Sequence, residues 1–270
     1  MKIKNYFFLS LMTSVIFLNS CESEDVIELN GNFVEPKILL TKVTTVYYDN
    51  PANPQTNVAN FTYNSKGELT KVISEGRTSN YEYDATGKPI KTNYYNADGT
   101  LDYYSSYTYN GDQLLNIKAI YTNPDFNRTI SYTYDNGKVM TSTLCQSANC
   151  SNPSTSSYTY NGENITVETS VIGGTFPSPT KHEYLYDNQL NPFTYTNKYL
   201  KISFGGAYVL SKNNYTTERI SYKDGSGNWV QNQHIIYDVQ YNSAQLPTQV
   251  IGKNSNGSTY VRYNYEYTAQ

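Results

Sequence analysis

Only a few residues in this chain have types and spacings that could do chemistry. His182 and His234 are the only two histidines, so imidazole base or metal chemistry would have to centre on one of them. No Gly-x-Ser-x-Gly elbow or His-Glu-x-x-His helix accompanies either, and His182-Glu183 leads into a strand-like Tyr184-Leu185-Tyr186 segment. Both read as surface or strand histidines. Asp84, Asp98, Asp135 and Asp187 fall where hairpin turns favour aspartate, so no acid pair is assigned a catalytic role. Asn96 to Thr100 and Asp224 to Asn228 lack the acidic ladder and closing glutamate of a calcium site and read as hairpin loops. Cys145 and Cys150 enclose a polar loop; a disulfide between them is the expectation and two free thiols the alternative. With no histidine nearby in sequence, a zinc site there is not expected. The binding candidates are aromatic: Tyr94, Tyr95, Tyr103, Tyr104 and the lone Trp229 could stack on sugar rings or anchor a protein partner. Cross-strand tyrosine ladders are the plainer alternative. No catalytic residue, metal or cofactor is expected.

Composition narrows the class. The 270 residues include 30 tyrosines, 9 phenylalanines and one tryptophan, with 16% charged residues. Tyrosine forms strands and tolerates half-burial. The formal charge of −3 becomes −5 if residues 1–20, with Lys2 and Lys4, are removed. That acidity argues against a nucleic-acid partner, which calls for a basic stripe. Five Asn-x-Ser/Thr sequons, at Asn60, Asn127, Asn164, Asn214 and Asn256, read as accidents of an Asn/Thr-rich chain.

The N-terminus is basic at Met1-Lys2-Ile3-Lys4, apolar from Tyr6 to Leu18, and reaches a cysteine through Leu18-Asn19-Ser20-Cys21. This is the layout of a secretory signal, too short for a spanning helix. The segment resembles a bacterial lipoprotein signal. That resemblance implies Cys21 as the lipidated first residue of the mature chain, held to the membrane by its acyl chains. Glu22-Ser23-Glu24-Asp25 resembles the acidic tether of surface-displayed Bacteroidetes lipoproteins. The expected divisions are a signal peptide over 1–20, a lipidated tether over 21–36 and a repeat domain over 37–270.

The elements that must position the candidates come from a repeat. Pairs one residue apart recur at Phe61/Tyr63, Tyr81/Tyr83, Tyr107/Tyr109, Tyr132/Tyr134, Tyr158/Tyr160, Tyr184/Tyr186 and Tyr265/Tyr267; the first six second members are spaced 20, 26, 25, 26 and 26 residues apart. A regular step of this size marks one supersecondary unit copied in tandem. In Tyr107-Thr108-Tyr109-Asn110-Gly111 the tyrosines share one strand face and Asn-Gly supplies the positive-φ turn, after which Leu115, Ile117, Ala119 and Tyr121 alternate. The unit is a β-hairpin. Beyond Tyr186 the rhythm is read through Tyr215, Tyr241 and Tyr267. Helical periodicity is absent after the signal. Ile172-Gly173-Gly174 and Phe204-Gly205-Gly206-Ala207 read as bulges or bends where the sheet curves.

The units at 61–72 and 81–92 resemble the tyrosine-aspartate (YD) repeats of Rhs and teneurin proteins. Over residues 61–267 the chain is similar to Bacteroidetes lipoproteins with YD-like tandem repeats, a group of largely unknown function. Where Rhs repeats keep Gly-Arg-Leu after the turn, Gly67-Glu68-Leu69 and Gly87-Lys88-Pro89 stand here. The resemblance implies an all-β antiparallel meander of hairpins forming one strongly curved sheet or an open or partly closed barrel. The function expected is that of an outer-membrane lipoprotein, surface-exposed or facing the periplasm. It would be a non-enzymatic module binding a glycan or envelope protein, with a structural or immunity-like envelope factor and a glycan-active enzyme as alternatives.

Overall fold

A computed structural model describes residues 37–147, 149–174 and 177–270. The expected signal peptide, Cys21 and the 21–36 tether lie outside these residues. Sixteen strands follow one another as an antiparallel meander. The first eight are β1 Ile38–Tyr47, β2 Gln55–Tyr63, β3 Leu69–Ser74, β4 Arg77–Tyr83, β5 Pro89–Tyr95, β6 Leu101–Asn110, β7 Gln113–Tyr121 and β8 Arg128–Asp135. The remainder are β9 Lys138–Cys145, β10 Ser154–Asn161, β11 Asn164–Ile172, β12 Ser178–Leu190, β13 Asn213–Lys223, β14 Trp229–Tyr241, β15 Pro247–Asn254 and β16 Thr259–Ala269. β1 pairs with β16 from Ile38↔Ala269 to Tyr47↔Val261, which closes the sheet into a barrel. Full closure leaves no unpaired sheet edge in water.

The tyrosine motif has a specific job at one end of this barrel. Each even-numbered strand shifts register by one residue at the second tyrosine, as at Thr62/Tyr63, Glu82/Tyr83, Thr108/Tyr109, Thr133/Tyr134 and Thr159/Tyr160. A bulge leaves one residue of the returning strand unpaired. That residue is threonine at positions 41, 70, 166, 216 and 248, and each hydroxyl bonds the carbonyl just before the tyrosine across the ladder, at 3.0–3.4 Å. The second tyrosine then donates its hydroxyl to the first inward residue of the preceding unit's returning strand. Tyr63 bonds Leu40 O, Tyr83 Leu69 O, Tyr109 Pro89 O, Tyr134 Leu114 O, Tyr186 Ile165 O and Tyr267 Pro247 O, at 2.5–2.8 Å. The result is a series of clasps tying hairpin to hairpin around most of the barrel; Tyr241 instead donates to the Asp187 carboxylate. Positive-φ turns complete the hairpins, most through glycine, as in Asn136-Gly137 with φ of 48° and 79°, and the β14–β15 turn through Gln245 at 61°.

The two faces of the wall differ in chemistry. Inside lie the paired tyrosines with Leu114, Ile117, Ile165, Ile235, Val250 and Val261, in two buried clusters. Outside, the residues between the paired tyrosines, Thr62, Glu82, Thr108, Thr133, Thr159 and Glu266, are exposed. The register places Lys42 opposite Glu266, Lys71 opposite Thr62, Lys91 opposite Glu82, Lys118 opposite Ser106, Lys181 opposite Thr169, Arg219 opposite Glu183 and Lys253 opposite Ile236, all facing outward.

The structure departs from three sequence expectations. The 29-residue step from Tyr186 to Tyr215 is not a degraded repeat. Residues 191–212 are an insert between β12 and β13 containing two short helices, α1 Lys198–Phe204 and α2 Ala207–Leu210. Tyr215 pairs with Tyr186 at the bulge, where other units place Leu114 or Ile165. Likewise Gly205 and Gly206, at φ 70° and 74°, turn the chain between the helices rather than bending the sheet. Gly173 follows β11 and lies so close to the β9–β10 connection that an added Cβ would come within 2.0 Å of Asn152 O. Its cause is therefore close backbone approach, not sheet curvature.

Candidate functional site

The insert lies across the end of the barrel that carries the clasps. Asn197 Nδ2 donates to Gly87 O at 2.9 Å, Lys198 and Tyr199 both bond the Asp112 carboxylate, and Lys212 N donates to Glu163 O at 3.2 Å. Gly87, Asp112 and Glu163 sit in the β4–β5, β6–β7 and β10–β11 turns, all at that end. Phe193 and Val209 pack with Leu40, Ile235, Val250 and Tyr265, while Tyr199 and Ala207 pack with Leu114, Tyr132, Ile165 and Tyr184. The insert thus joins opposite walls through the interior, and Tyr208 bonds Tyr265 hydroxyl to hydroxyl. Beneath it is a cavity of 310 Å³ lined by Tyr132, Tyr158, Ser142, Ser156, Glu168 and Ser203.

Next to this cavity the wall carries a half-buried acid–base network. Glu168 on β11 pairs in register with His182 on β12. His182 Nδ1 and Glu218 Oε1 on β13 are hydrogen-bonded at 2.7 Å, and Tyr237 donates its hydroxyl to Glu218 Oε2 at 2.7 Å. Burial works against charge on His182, but the Glu218 hydrogen bond and charge outweigh it and raise its pKa. Burial raises the Glu168 carboxyl, opposed by the Ala207 amide that donates to it at 3.1 Å. Burial and the Glu218 charge raise Tyr184 and Tyr237 above the ordinary phenol range. Such a set can hold and exchange protons, but both Glu218 oxygens are already occupied by members of the network. Sequence reasoning missed this group. The available signal was parity, because His182 shares the inward face with Tyr184 and Tyr186. His234, by contrast, pairs with Arg219 on the outer face.

The aromatic candidates separate into three places. Tyr94 and Tyr103 stack at 4.3 Å between ring centroids, and Tyr103 stacks on Tyr121 at 4.5 Å, forming a cross-strand row. Burial raises the Tyr103 hydroxyl to about 12. Tyr94, Tyr95 and Tyr103 line a 220 Å³ cleft with Glu75, Arg77 and Asp102, at the barrel end opposite the insert. Arg77 bridges Asp102 at 3.1 Å. Tyr104 lies on the other face of β6, with Lys91 Nζ 4.8 Å from its ring. Trp229 stands apart at the start of β14, between Lys181 and Lys223 at 5.5 and 5.3 Å. The structure therefore brings Tyr94, Tyr95 and Tyr103 together and leaves Tyr104 and Trp229 separate. Cys145 and Cys150 form a disulfide with Cα atoms 4.7 Å apart, beside a 700 Å³ groove that also includes Lys118, Asp125 and Thr129. Asp98 and Asp224 cap hairpin turns by accepting from Thr100 N and Ser226 N at 2.9 Å.

A family model described as an uncharacterised protein matches residues 43–152. No curated protein matches the chain. Among solved structures, a porin-like protein from Bacteroides uniformis aligns over 86% of this chain and 96% of its own, at 16% identity and TM-score 0.54. A porin-like protein from Bacteroides vulgatus aligns over 86% of this chain and 99% of its own, at 12% identity and TM-score 0.51. At these identities the likeness is one of fold.

Proposed function

We propose that this chain is a cell-envelope lipoprotein, held to the membrane by lipid on Cys21, whose barrel is a non-enzymatic binding module for a glycan. The observation carrying this reading is the cleft at the end opposite the insert. There, Tyr94, Tyr95 and Tyr103 wall a concavity with the Arg77–Asp102 pair and Glu75. Rings beside fixed polar groups are the surface a sugar needs, with apolar C–H faces on one side and hydroxyl partners on the other. Trp229 between two lysines offers a second aromatic platform. The test is a glycan array probed with the full chain, repeated with Tyr95→Ala and Trp229→Ala. The reading expects a glycan class retained by the parent and lost on at least one variant; an array on which the variants match the parent removes it.

The porin-like neighbours suggest a second reading, a membrane channel. Wall chemistry opposes it. A membrane barrel is apolar outside and polar inside, whereas this wall faces outward with Lys42, Lys71, Lys91, Lys118, Lys181, Arg219 and Lys253 and inward with its tyrosine clusters. Each such cation near a bilayer midplane costs roughly 2–4 kcal/mol. The proposal therefore places the barrel in water, beside the membrane rather than through it.

A further inference from the structure

At Tyr160 the clasp is open. By the pattern of the other units, Tyr160 would donate to Val139 O, yet among the described residues its hydroxyl has no hydrogen-bond partner, while Tyr134 and Tyr186 on either side keep theirs. Tyr160 and Val139 line a 500 Å³ cavity between the insert and the β6–β7, β8–β9 and β10–β11 turns. The other walls are Tyr134, Tyr199, Ile202 and Leu210, and five charged groups reach it: Asp112, Lys138, Glu163, Lys198 and Lys201.

Four of these charges cancel. Lys138 bridges Glu163 at 2.6 Å, and Lys198 bridges Asp112, which also accepts from the Tyr199 hydroxyl. Their lysine hydrogen bonds lower both carboxyls, so both stay ionised. Lys201 is the remainder. It projects from α1 into the cavity with no ion pair or side-chain hydrogen bond among the described residues, and burial lowers its pKa. A half-buried ammonium without a counter-ion is costly. An open cavity with one net positive charge and a free phenol hydroxyl offers what a carboxylate needs, a charge-assisted bond from Lys201 and a second donor in Tyr160. The rings of Tyr134, Tyr160 and Tyr199 supply apolar walls suited to a pyranose, and the volume falls in the range of small-ligand sites.

We propose that this cavity binds an acidic sugar, a uronate unit of a glycan, with its carboxylate on Lys201 and Tyr160. The site is distinct from the Tyr94–Tyr95–Tyr103 cleft and lies at the other end of the barrel. Calorimetric titration of the full chain in detergent tests it, with tri-galacturonate, neutral tri-galactose and inorganic phosphate as probes. Saturable binding of the uronate is expected, with at least tenfold weaker binding of the neutral sugar and of phosphate. Lys201→Met should weaken uronate binding tenfold or more and Tyr160→Phe several-fold, while Lys201→Arg retains it and Tyr95→Ala and Trp229→Ala leave it unchanged. Equal affinity for phosphate overturns the sugar assignment. No uronate binding by the parent, or undiminished binding by a folded Lys201→Met, overturns the site. Should Lys201→Met fail to fold, Tyr160→Phe decides the matter by the same readout. Because Tyr95→Ala and Trp229→Ala test only the opposite cleft and the Trp229 platform, failure here leaves that reading standing.

Discussion

At the residue scale, the second tyrosine of each unit is set apart by its hydroxyl. Tyr109→Phe keeps the ring and deletes the bond to Pro89 O, so it should cost about 1 kcal/mol in urea unfolding. Tyr160→Phe loses no such bond and should leave the midpoint almost unchanged. The half-buried network predicts a pH dependence. Both His182 and Glu168 have raised folded-state pKa values. Each therefore contributes stability that is complete below its unfolded value, near 4.5 for the glutamate and 6.5 for the histidine, and is lost as pH rises through the folded value. Denaturation midpoints should accordingly fall between about pH 5 and pH 8, and Glu168→Gln should flatten the lower part of that slope and raise stability at pH 7. A slope that Glu168→Gln leaves unaltered would refute the assignment. No local motif reveals Glu168, His182 and Glu218, because register alone brings them together; the sequence shows only that His182 shares a face with two tyrosines.

At the element scale, the hairpins were legible and the insert was not. Tyr-x-Tyr followed by Asn-Gly, or by a four-residue turn ending in glycine, states both the strand face and its reversal, so β6–β7, β8–β9 and β10–β11 follow from local chemistry. The insert escaped notice because Tyr215 falls near the expected step and hides extra residues inside an apparent repeat. Its helices are also too short to show a periodic stripe, and they hold their form by packing rather than propensity. Leu200, with no exposure at all, is the clearest packing anchor in α1. Leu200→Ala should cost about 2–5 kcal/mol and loosen the end of the barrel that the insert covers, read as faster amide exchange at Leu114 and Ile165. In the wall itself, Gly252 admits the Tyr237 ring, and an added Cβ would meet it at 2.8 Å and Val261 at 2.9 Å. Gly252→Ala should therefore cost about 1–3 kcal/mol by overpacking.

At the scale of the whole molecule, the sequence implies a curved meander but not its closure. The β1–β16 pairing joins residues more than two hundred positions apart and leaves no local trace. Sixteen strands closed in order share their fold with the porin-like structures, yet the distribution of side chains is reversed from that of a membrane barrel, with tyrosine clusters and an insert inside and cations on the outside. The account stands on that reversal. Its most direct test is to prepare residues 22–270 without lipid or detergent and offer them to liposomes and a planar bilayer. The account predicts a folded protein that stays in the aqueous phase, remains off the vesicles and passes no current. Insertion with stepwise conductance, or a chain that folds only in detergent, would contradict it.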